Sequence, residues 1–196
     1  GEGEVFGELA ALGRTPRTAT IFASTDVVAI EIRWQGLRDI MKYDTGWRKR
    51  IDKNYRETAL ANHLSTTEIL KDLSKEAAEH VSQSALFETY GAFDWHHDFK
   101  NKKSAGAEVT IAKEGDYPDG LLLIRAGFAR LAKGADYERR TISYLGAGDT
   151  FGLNELYSAW KNPGQKDFQL TNSLTALGYV DIIRIPVEVL EEHVFP

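Results

Sequence analysis

The chain of 196 residues has no cysteine and only one methionine. Without thiols there are no disulfides, no thiolate metal sites, no iron–sulfur ligation and no cysteine nucleophile, and a reducing, cytoplasmic setting is the expectation. Long apolar runs are missing too. Stretches such as Gly120-Leu121-Leu122-Leu123-Ile124 fall far short of the roughly 20 residues that cross a bilayer, and no basic-then-apolar leader is visible, so neither a membrane span nor a targeting segment is expected. Positive charge is scarce: 24 Lys+Arg against 29 Asp+Glu leave a net charge of −5. That balance disfavours non-specific attraction to phosphate backbones, and no nucleic-acid partner is expected. The Gly-x-Ser-x-Gly signature of a nucleophile elbow is also absent.

What remains is a composition that is 42% hydrophobic and 11% aromatic, enough to bury the core of one large domain or two small ones. The opening Gly1-Glu2-Gly3-Glu4-Val5-Phe6-Gly7-Glu8 has no initiator Met and reads as a turn and loop, which suggests a window within a larger protein. Val27-Val28-Ala29-Ile30-Glu31-Ile32 is a β-branched run after Ser24-Thr25-Asp26 and predicts a buried strand. From Trp34 the apolar spacing becomes helical through Leu37, Ile40 and Met41, and Asp44-Thr45-Gly46 breaks that helix and offers a cap for the next, along which Trp47, Ile51, Tyr55 and Ala59 recur every fourth residue. Arg48-Lys49-Arg50 and Lys53 lie off this stripe, as on a solvated face. Ser65 and Glu68 have capping-box spacing ahead of Ile69, Leu70, Leu73, Ala77 and Val81, and Ser74 is a second possible cap.

After Tyr90-Gly91 the pattern changes to short strand-like pieces at Glu108 to Ala112, Gly120 to Arg125, Phe128 to Ala132, Arg140 to Leu145 and Thr175 to Ile185. Frequent turns between short strands predict antiparallel β structure of roll, sandwich or barrel type. A last helix is expected after Pro186. Gly3-Glu4-Val5-Phe6-Gly7 is echoed by Gly148-Asp149-Thr150-Phe151-Gly152, which points to two copies of one module joined by helices.

The stretch richest in chemistry is Phe6-Gly7-Glu8-Leu9-Ala10-Ala11-Leu12, a short polar break, then Pro16-Arg17-Thr18-Ala19-Thr20. Gly7 permits close backbone approach, the following turn can present N–H groups at a short helix start, and Arg17 brings a planar fork of donors, so the parts suit a small anion. Two readings of the charges stand side by side. In one, Glu8 and Arg17 pair with each other. In the other, Glu8 accepts from a sugar hydroxyl and Arg17 pairs with a phosphate.

This stretch resembles the phosphate-binding cassette of cyclic nucleotide-binding domains, as in the regulatory subunits of cAMP- and cGMP-dependent kinases and in bacterial catabolite-activator-type proteins. The family pattern is Phe-Gly-Glu, an apolar residue and Ala, then Pro-Arg, a small residue, Ala and Thr or Ser, and every element is present. The resemblance implies that Glu8 binds the ribose 2′-hydroxyl, that Arg17 binds the exocyclic phosphate oxygens, and that backbone amides around Gly7, Leu9 and Ala10 complete the cradle. Thr18 stands where the family often places a residue facing the base, and a hydroxyl there is similar to cGMP-selective members, although cAMP binders carry it too. The implied function is a non-enzymatic sensor of cAMP or cGMP, with no cofactor and no metal, acting on an effector domain or protein outside this sequence.

The implied fold is mainly β with helices (α+β), built from antiparallel β-roll or jelly-roll modules joined by helices. Residues 1–45 would be the C-terminal part of a first module whose earlier strands are not in the sequence, 46–66 a connecting helix, and 67–196 a second, degenerate module. The strand at Val27 to Ile32 would then need partner strands from upstream or from another chain. In the second module, matching Phe151-Gly152 to Phe6-Gly7 puts Leu153 at the position of Glu8 and Leu170 at that of Arg17, with an insertion around Lys161 to Lys166. Both ligand-binding charges are thereby lost, unless Glu155 and Lys166 replace them by a shifted register.

Other groups carry less. His96-His97 invites comparison with β-roll metalloenzymes, but adjacent strand residues point to opposite faces. His63, His80 and His193 are scattered along the chain and read as ordinary surface or boundary residues. Trp34, Tyr43, Trp47 and Tyr55 follow the cassette, where the family can place an aromatic cap over the base; helix packing explains them equally. The alternative to a nucleotide sensor is a structural interaction module built from vestigial copies of the fold.

Overall fold

The computed structural model describes residues 3–13, 17, 19–91, 108–134, 140–164 and 168–196. The chain divides into two compact units, Gly1–Asn62 and His63–Pro196.

In the first unit, α1 (Glu8–Gly13), α2 (Trp34–Tyr43) and α3 (Thr45–Tyr55) surround a small apolar cluster of Leu37, Met41 and Ile51, against which Ala11 and Trp47 pack. Asp44 makes the corner between α2 and α3. Its N–H donates to Ile40 O at 2.7 Å, and its carboxylate accepts from Trp47 N at 2.9 Å, so one residue closes one helix and caps the next. The basic cluster lies on a solvated face, with Arg48 3.7 Å from Asp52 and Lys53 3.7 Å from Glu57 in i,i+4 pairs. Beyond α3 the helical path runs through a π-helical turn, Arg56–Leu60, into α4 (Ala61–Thr66).

The strand expected at Val27 to Ile32 does not form. The segment is extended but joins no ladder, and Val28 is 100% and Ile30 88% exposed. β-branched residues favour extended backbone, but a strand also requires a neighbour for its N–H and C=O groups, and none of the described residues supplies one.

In the second unit the capping box at Ser65 is not realised, because Ser65 already sits inside α4 and the chain turns at Thr67, whose N–H reaches Leu64 O at 3.0 Å. The helix starts at Ser74 instead: its hydroxyl accepts from Ala77 N at 3.1 Å and opens α5 (Lys75–Ser84). Among the described residues eight strands follow: β1 (Leu86–Tyr90), β2 (Val109–Ala112), β3 (Gly120–Ala126), β4 (Ala129–Lys133), β5 (Arg140–Leu145), β6 (Thr150–Phe151), β7 (Ser173–Ala176) and β8 (Val180–Pro186). Helix α6 (Leu153–Lys161) lies between β6 and β7, and α7 (Val187–His193) follows β8.

The strands make two four-stranded antiparallel sheets, ordered β1-β8-β3-β6 and β2-β7-β4-β5. This corrects the expected β-roll or jelly-roll. No hydrogen-bonded pair links one sheet to the other among the described residues, so the architecture is an α+β arrangement of two open sheets and not a closed roll. The sheets share a core of Leu122, Ile124, Ala129, Phe151, Leu170, Leu174, Ala176, Val180 and Ile182. All seven residues of β3 are buried, because helices α6 and α7 cover the face turned away from that core; a strand covered on both sides reads as an unbroken apolar run.

One polar group is set into this interior. Arg125 and Asp181 form an ion pair of 3.2 Å with side chains 2% and 1% exposed. Asp181 also accepts from Thr89 Oγ1 at 2.7 Å and Tyr179 Oη at 2.8 Å, and Phe87 covers the guanidinium at 5.0 Å from its ring centre. A buried pair survives where further hydrogen bonds support it, and here they converge on the Asp181 carboxylate.

Candidate functional site

Gly7 turns the chain into α1 with φ +81°, a left-handed conformation that glycine adopts without steric cost. Its carbonyl accepts from Ala11 N at 3.2 Å, the first bond of the helix, and from Arg17 Nη1 at 2.8 Å. The arginine is therefore drawn back over the turn ten residues upstream. A Cβ at Gly7 would land on Arg17 Nη1 and lie 3.2 Å from its Cζ. Glycine is needed here for the backbone, and any Cβ would also make the exposed end of Arg17 shift from its present place.

Helix geometry leaves the amides of Glu8, Leu9 and Ala10 without a carbonyl inside α1, and they open at the same turn as Arg17. Arg17 is exposed and Glu8 half-buried, and the two form no ion pair, so the reading in which they satisfy each other is not the one realised. The arrangement presents peptide donors and a cation at one turn, with a carboxylate opening the helix beside them. Such a set accepts an anionic group and a hydroxyl. Thr18 lies outside the described residues.

Of the four aromatic side chains that follow, Trp47 packs on the Leu37 cluster and Tyr55 is buried at 3% exposure. Trp34 is stacked by the Arg38 guanidinium at 4.7 Å, and Tyr43 stands in solvent. Helix packing accounts for Trp47 and Tyr55. In the second unit Trp160 stacks on Tyr157 at 5.8 Å and meets Phe195 at 5.7 Å.

The second unit repeats the turn without its charges. Gly152 has φ +90° and directly precedes α6, as Gly7 precedes α1, but the helix begins with Leu153. Leu170 is 5% exposed and part of the inter-sheet core. The shifted-register alternative is not realised at Glu155, whose carboxylate accepts from Thr171 N at 3.2 Å and Thr171 Oγ1 at 2.7 Å; Lys166 lies outside the described residues. The cavity beside this turn has a volume of about 180 Å³ and is lined by Phe151, Gly152 and Leu170 together with Asp116, Asp119 and Arg184. That is below the roughly 300 Å³ at the lower end of small-molecule pockets.

Arg184 is not available to a ligand there. It donates to Glu88 at 2.7 and 2.9 Å and pairs with Asp119, and Tyr90 Oη donates to Glu88 at 2.8 Å. Its hydrogen bonds to Glu88 hold the guanidinium protonated well above its ordinary range. Burial alone would push the Glu88 carboxyl up, but the hydrogen bonds of Arg184 and Tyr90 and the Arg184 charge outweigh it and leave it below its usual value. Sequence reading missed this group, since Glu88 and Arg184 are 96 residues apart and only the β1–β8 pairing joins them.

The chain matches the cyclic nucleotide-binding domain family over residues 1–44 and 102–194, more than half of its length, and it belongs to that family. Its class is therefore that of proteins built on cyclic nucleotide-binding domains. Among curated proteins it is 27% identical over 178 residues to a cAMP-dependent protein kinase type II regulatory subunit of Drosophila melanogaster, covering 91% of this chain and 41% of that protein. It is 29% identical over 199 residues to a cAMP-dependent protein kinase regulatory subunit of Candida albicans, covering 98% and 37%. The chain thus spans about two fifths of the length of these relatives. Among solved structures, the regulatory domain of Toxoplasma gondii PKA in co-crystal with cAMP shares the fold at TM-score 0.53 and 18% identity, over 95% of this chain and 60% of that one. A regulatory subunit of a cAMP-independent protein kinase A from Trypanosoma brucei does so at TM-score 0.52 and 14% identity, over 76% and 48%. No helix among the described residues is long and apolar enough to cross a membrane.

Proposed function

We propose that the first unit binds cAMP or cGMP through the turn at Gly7 and that the second unit binds neither. The observation that carries this reading is the Arg17 guanidinium, hydrogen-bonded to Gly7 O at the open amide end of α1. The cyclic phosphate sits on Arg17 and the amides of Glu8, Leu9 and Ala10; the Glu8 carboxylate accepts from the ribose 2′-hydroxyl; Thr18 faces the base. The second unit lacks both charges, and its cavity is lined by Asp116 and Asp119 and by an Arg184 already held by Glu88 and Asp119, so a phosphate there would meet carboxylates and no uncommitted cation.

The response starts in α1. Ala11 lies one turn from the ligand amides and packs on the cluster formed by α2 and α3. Drawing α1 onto a phosphate therefore changes what α2 and α3 rest against, and from α3 the helical path continues into α4. The ligand shifts this equilibrium only by its difference in affinity for the two helix arrangements, which requires Arg17 to hold phosphate better in one of them. Residues 1–45 act as the sensing part, 46–66 as the connection and 67–196 as the responder, which passes the signal to an effector such as the kinase partners named in the relatives. A cytoplasmic location suits this role and a chain without cysteine.

Calorimetric titration of cAMP and cGMP into the full chain, with Arg17→Ala alongside, tests the reading. Saturable binding that weakens at least about 100-fold in the variant, as expected for loss of charge-assisted bonds to a phosphate, supports it. Equal affinity in both proteins removes the assignment of Arg17, and no binding by either leaves an interaction module without a nucleotide.

A further inference from the structure

α5 and α7 lie 113 residues apart along the chain at His80 and His193, yet the structure brings these two imidazoles together. His80 Nδ1 is 2.5 Å from His193 Nε2, with the rings edge to face at 4.8 Å between centres. The Glu192 carboxylate is 3.6 Å from His193 Nε2, and the ligand atoms of all three residues lie within 4.8 Å of one another. His80 and Glu192 are exposed and His193 is half-buried, so the group opens to solvent.

Two imidazole nitrogens facing each other at this distance need something shared between them, since two bare lone pairs would repel; the N–H of one neutral ring, set by its tautomer, is one solution. A metal ion that takes the place of that shared proton binds both nitrogens through their lone pairs. The geometry points to a binding site for a divalent transition-metal ion of the zinc type, held by His80 Nδ1, His193 Nε2 and a Glu192 oxygen. Zinc is commonly bound by two histidines and one carboxylate at about 2.0–2.2 Å, in tetrahedral geometry with a fourth position left to water. Tetrahedral bonds of that length set neighbouring ligand atoms roughly 3.4 Å apart. The His193–Glu192 separation of 3.6 Å is already close to this, and the two histidine nitrogens need to part by less than about 1 Å, within the range of small rotamer adjustments at an exposed surface. Imidazole donors select zinc, copper or nickel over magnesium or calcium, which prefer oxygen ligands throughout.

Bound metal would tie the helix that leads into the sheets to the helix that leaves them. α5 and α7 both pack against β8, so the clip would fasten the two ends of the second unit to the same strand. Because the chain has no cysteine, thiolates cannot compete for the ion. His96 and His97, outside the described residues, are the rival ligands, and the test must separate them from this site.

The experiment is titration of Zn2+ into the metal-free full chain at neutral pH, repeated with His80→Ala, Glu192→Gln and the double variant His80→Ala/His193→Ala, with folding of each checked by circular dichroism. The expected result is one Zn2+ per chain, weakened at least about 100-fold in the double variant, since even outer-shell changes cost 10–100-fold. Co2+ should give the absorption bands of tetrahedral coordination in the wild-type chain and lose them in His80→Ala. Binding should also weaken toward acid pH, because protons compete for both nitrogens. Absence of saturable Zn2+ binding, or binding that is unchanged in the folded double variant, overturns the site.

Discussion

Replacing Gly7 by alanine separates two demands that the candidate site makes on one residue. Gly7 has φ +81°, so any Cβ there costs the backbone about 1–2 kcal/mol. The same Cβ also occupies the position of Arg17 Nη1, so the guanidinium must shift from the place where it bonds Gly7 O at 2.8 Å. Gly3 provides the control: its φ is +76°, nearly the same strain, but nothing lies within 4 Å of its added Cβ. Each hydrogen bond between a guanidinium and a phosphate contributes about 1.5–3 kcal/mol, so displacing Arg17 by one such bond should raise Kd about 10- to 100-fold. Gly3→Ala should leave affinity unchanged while lowering the stability of the first unit by a similar amount to Gly7→Ala. Calorimetric titration with cAMP and cGMP reads the affinities, and thermal melting reads the strain. Equal affinity for Gly7→Ala and wild type, or an equal loss in Gly3→Ala, would refute the link between Gly7, Arg17 and the ligand.

Other expectations follow from the same geometry. The full chain should bind one cyclic nucleotide, not two, since Leu153 and Leu170 replace the ligand charges in the second unit; a stoichiometry of two in calorimetry would show that its cavity does bind. Asp181→Ala strands the Arg125 charge in the core and should cost about 3–5 kcal/mol in denaturant unfolding, and a loss below about 1 kcal/mol would mean that water reaches the pair. Burial, with the charge of Arg125 nearby, lowers the pKa of His63 below its ordinary 6.5. The unfolded chain then takes up a proton that the folded chain refuses, so the His63 contribution is fully present above about pH 6.5 and is lost as pH falls toward the depressed folded value. Melting temperature should decline over that window, and His63→Gln should flatten the decline. Gly127→Ala, with φ +89° and an added Cβ lying on the Tyr179 carbonyl, should destabilise the β3–β4 turn by more than the backbone strain alone, which a comparison with Gly115→Ala, at φ +91° in open space, would measure.

Local rules wrote much of this molecule into its sequence. The cassette residues, the Asp44 corner, the Ser74 cap, α2 and most of the strands are visible because each depends on neighbours within a few positions: a cap reaches three residues, a helical stripe four, and a glycine turn only itself. β3 is legible as an apolar run because both of its faces are covered. The readings that failed depended on partners elsewhere. Val27 to Ile32 has the composition of a strand, but pairing is a property of two segments, and the described residues contain no second one. Ser65 has the spacing of a capping box, yet the preceding helix runs through it. Whether the sheets close depends on hydrogen bonds between distant strands, and among the described residues no such bonds join them. The exchange of Arg17 for Leu170 could be aligned from sequence, whereas its burial in the inter-sheet core, the tie of Glu155 to Thr171 and the closure of Arg184 by Glu88 are tertiary facts. His80 and His193 show the difference most plainly. Nothing in either local sequence marks them, and only the packing of α5 and α7 against β8 brings two nitrogens 113 residues apart within 2.5 Å. Sequence alone determined the family, because its motif rests on contiguous residues; tertiary structure decided what is paired, what is buried and which distant side chains meet.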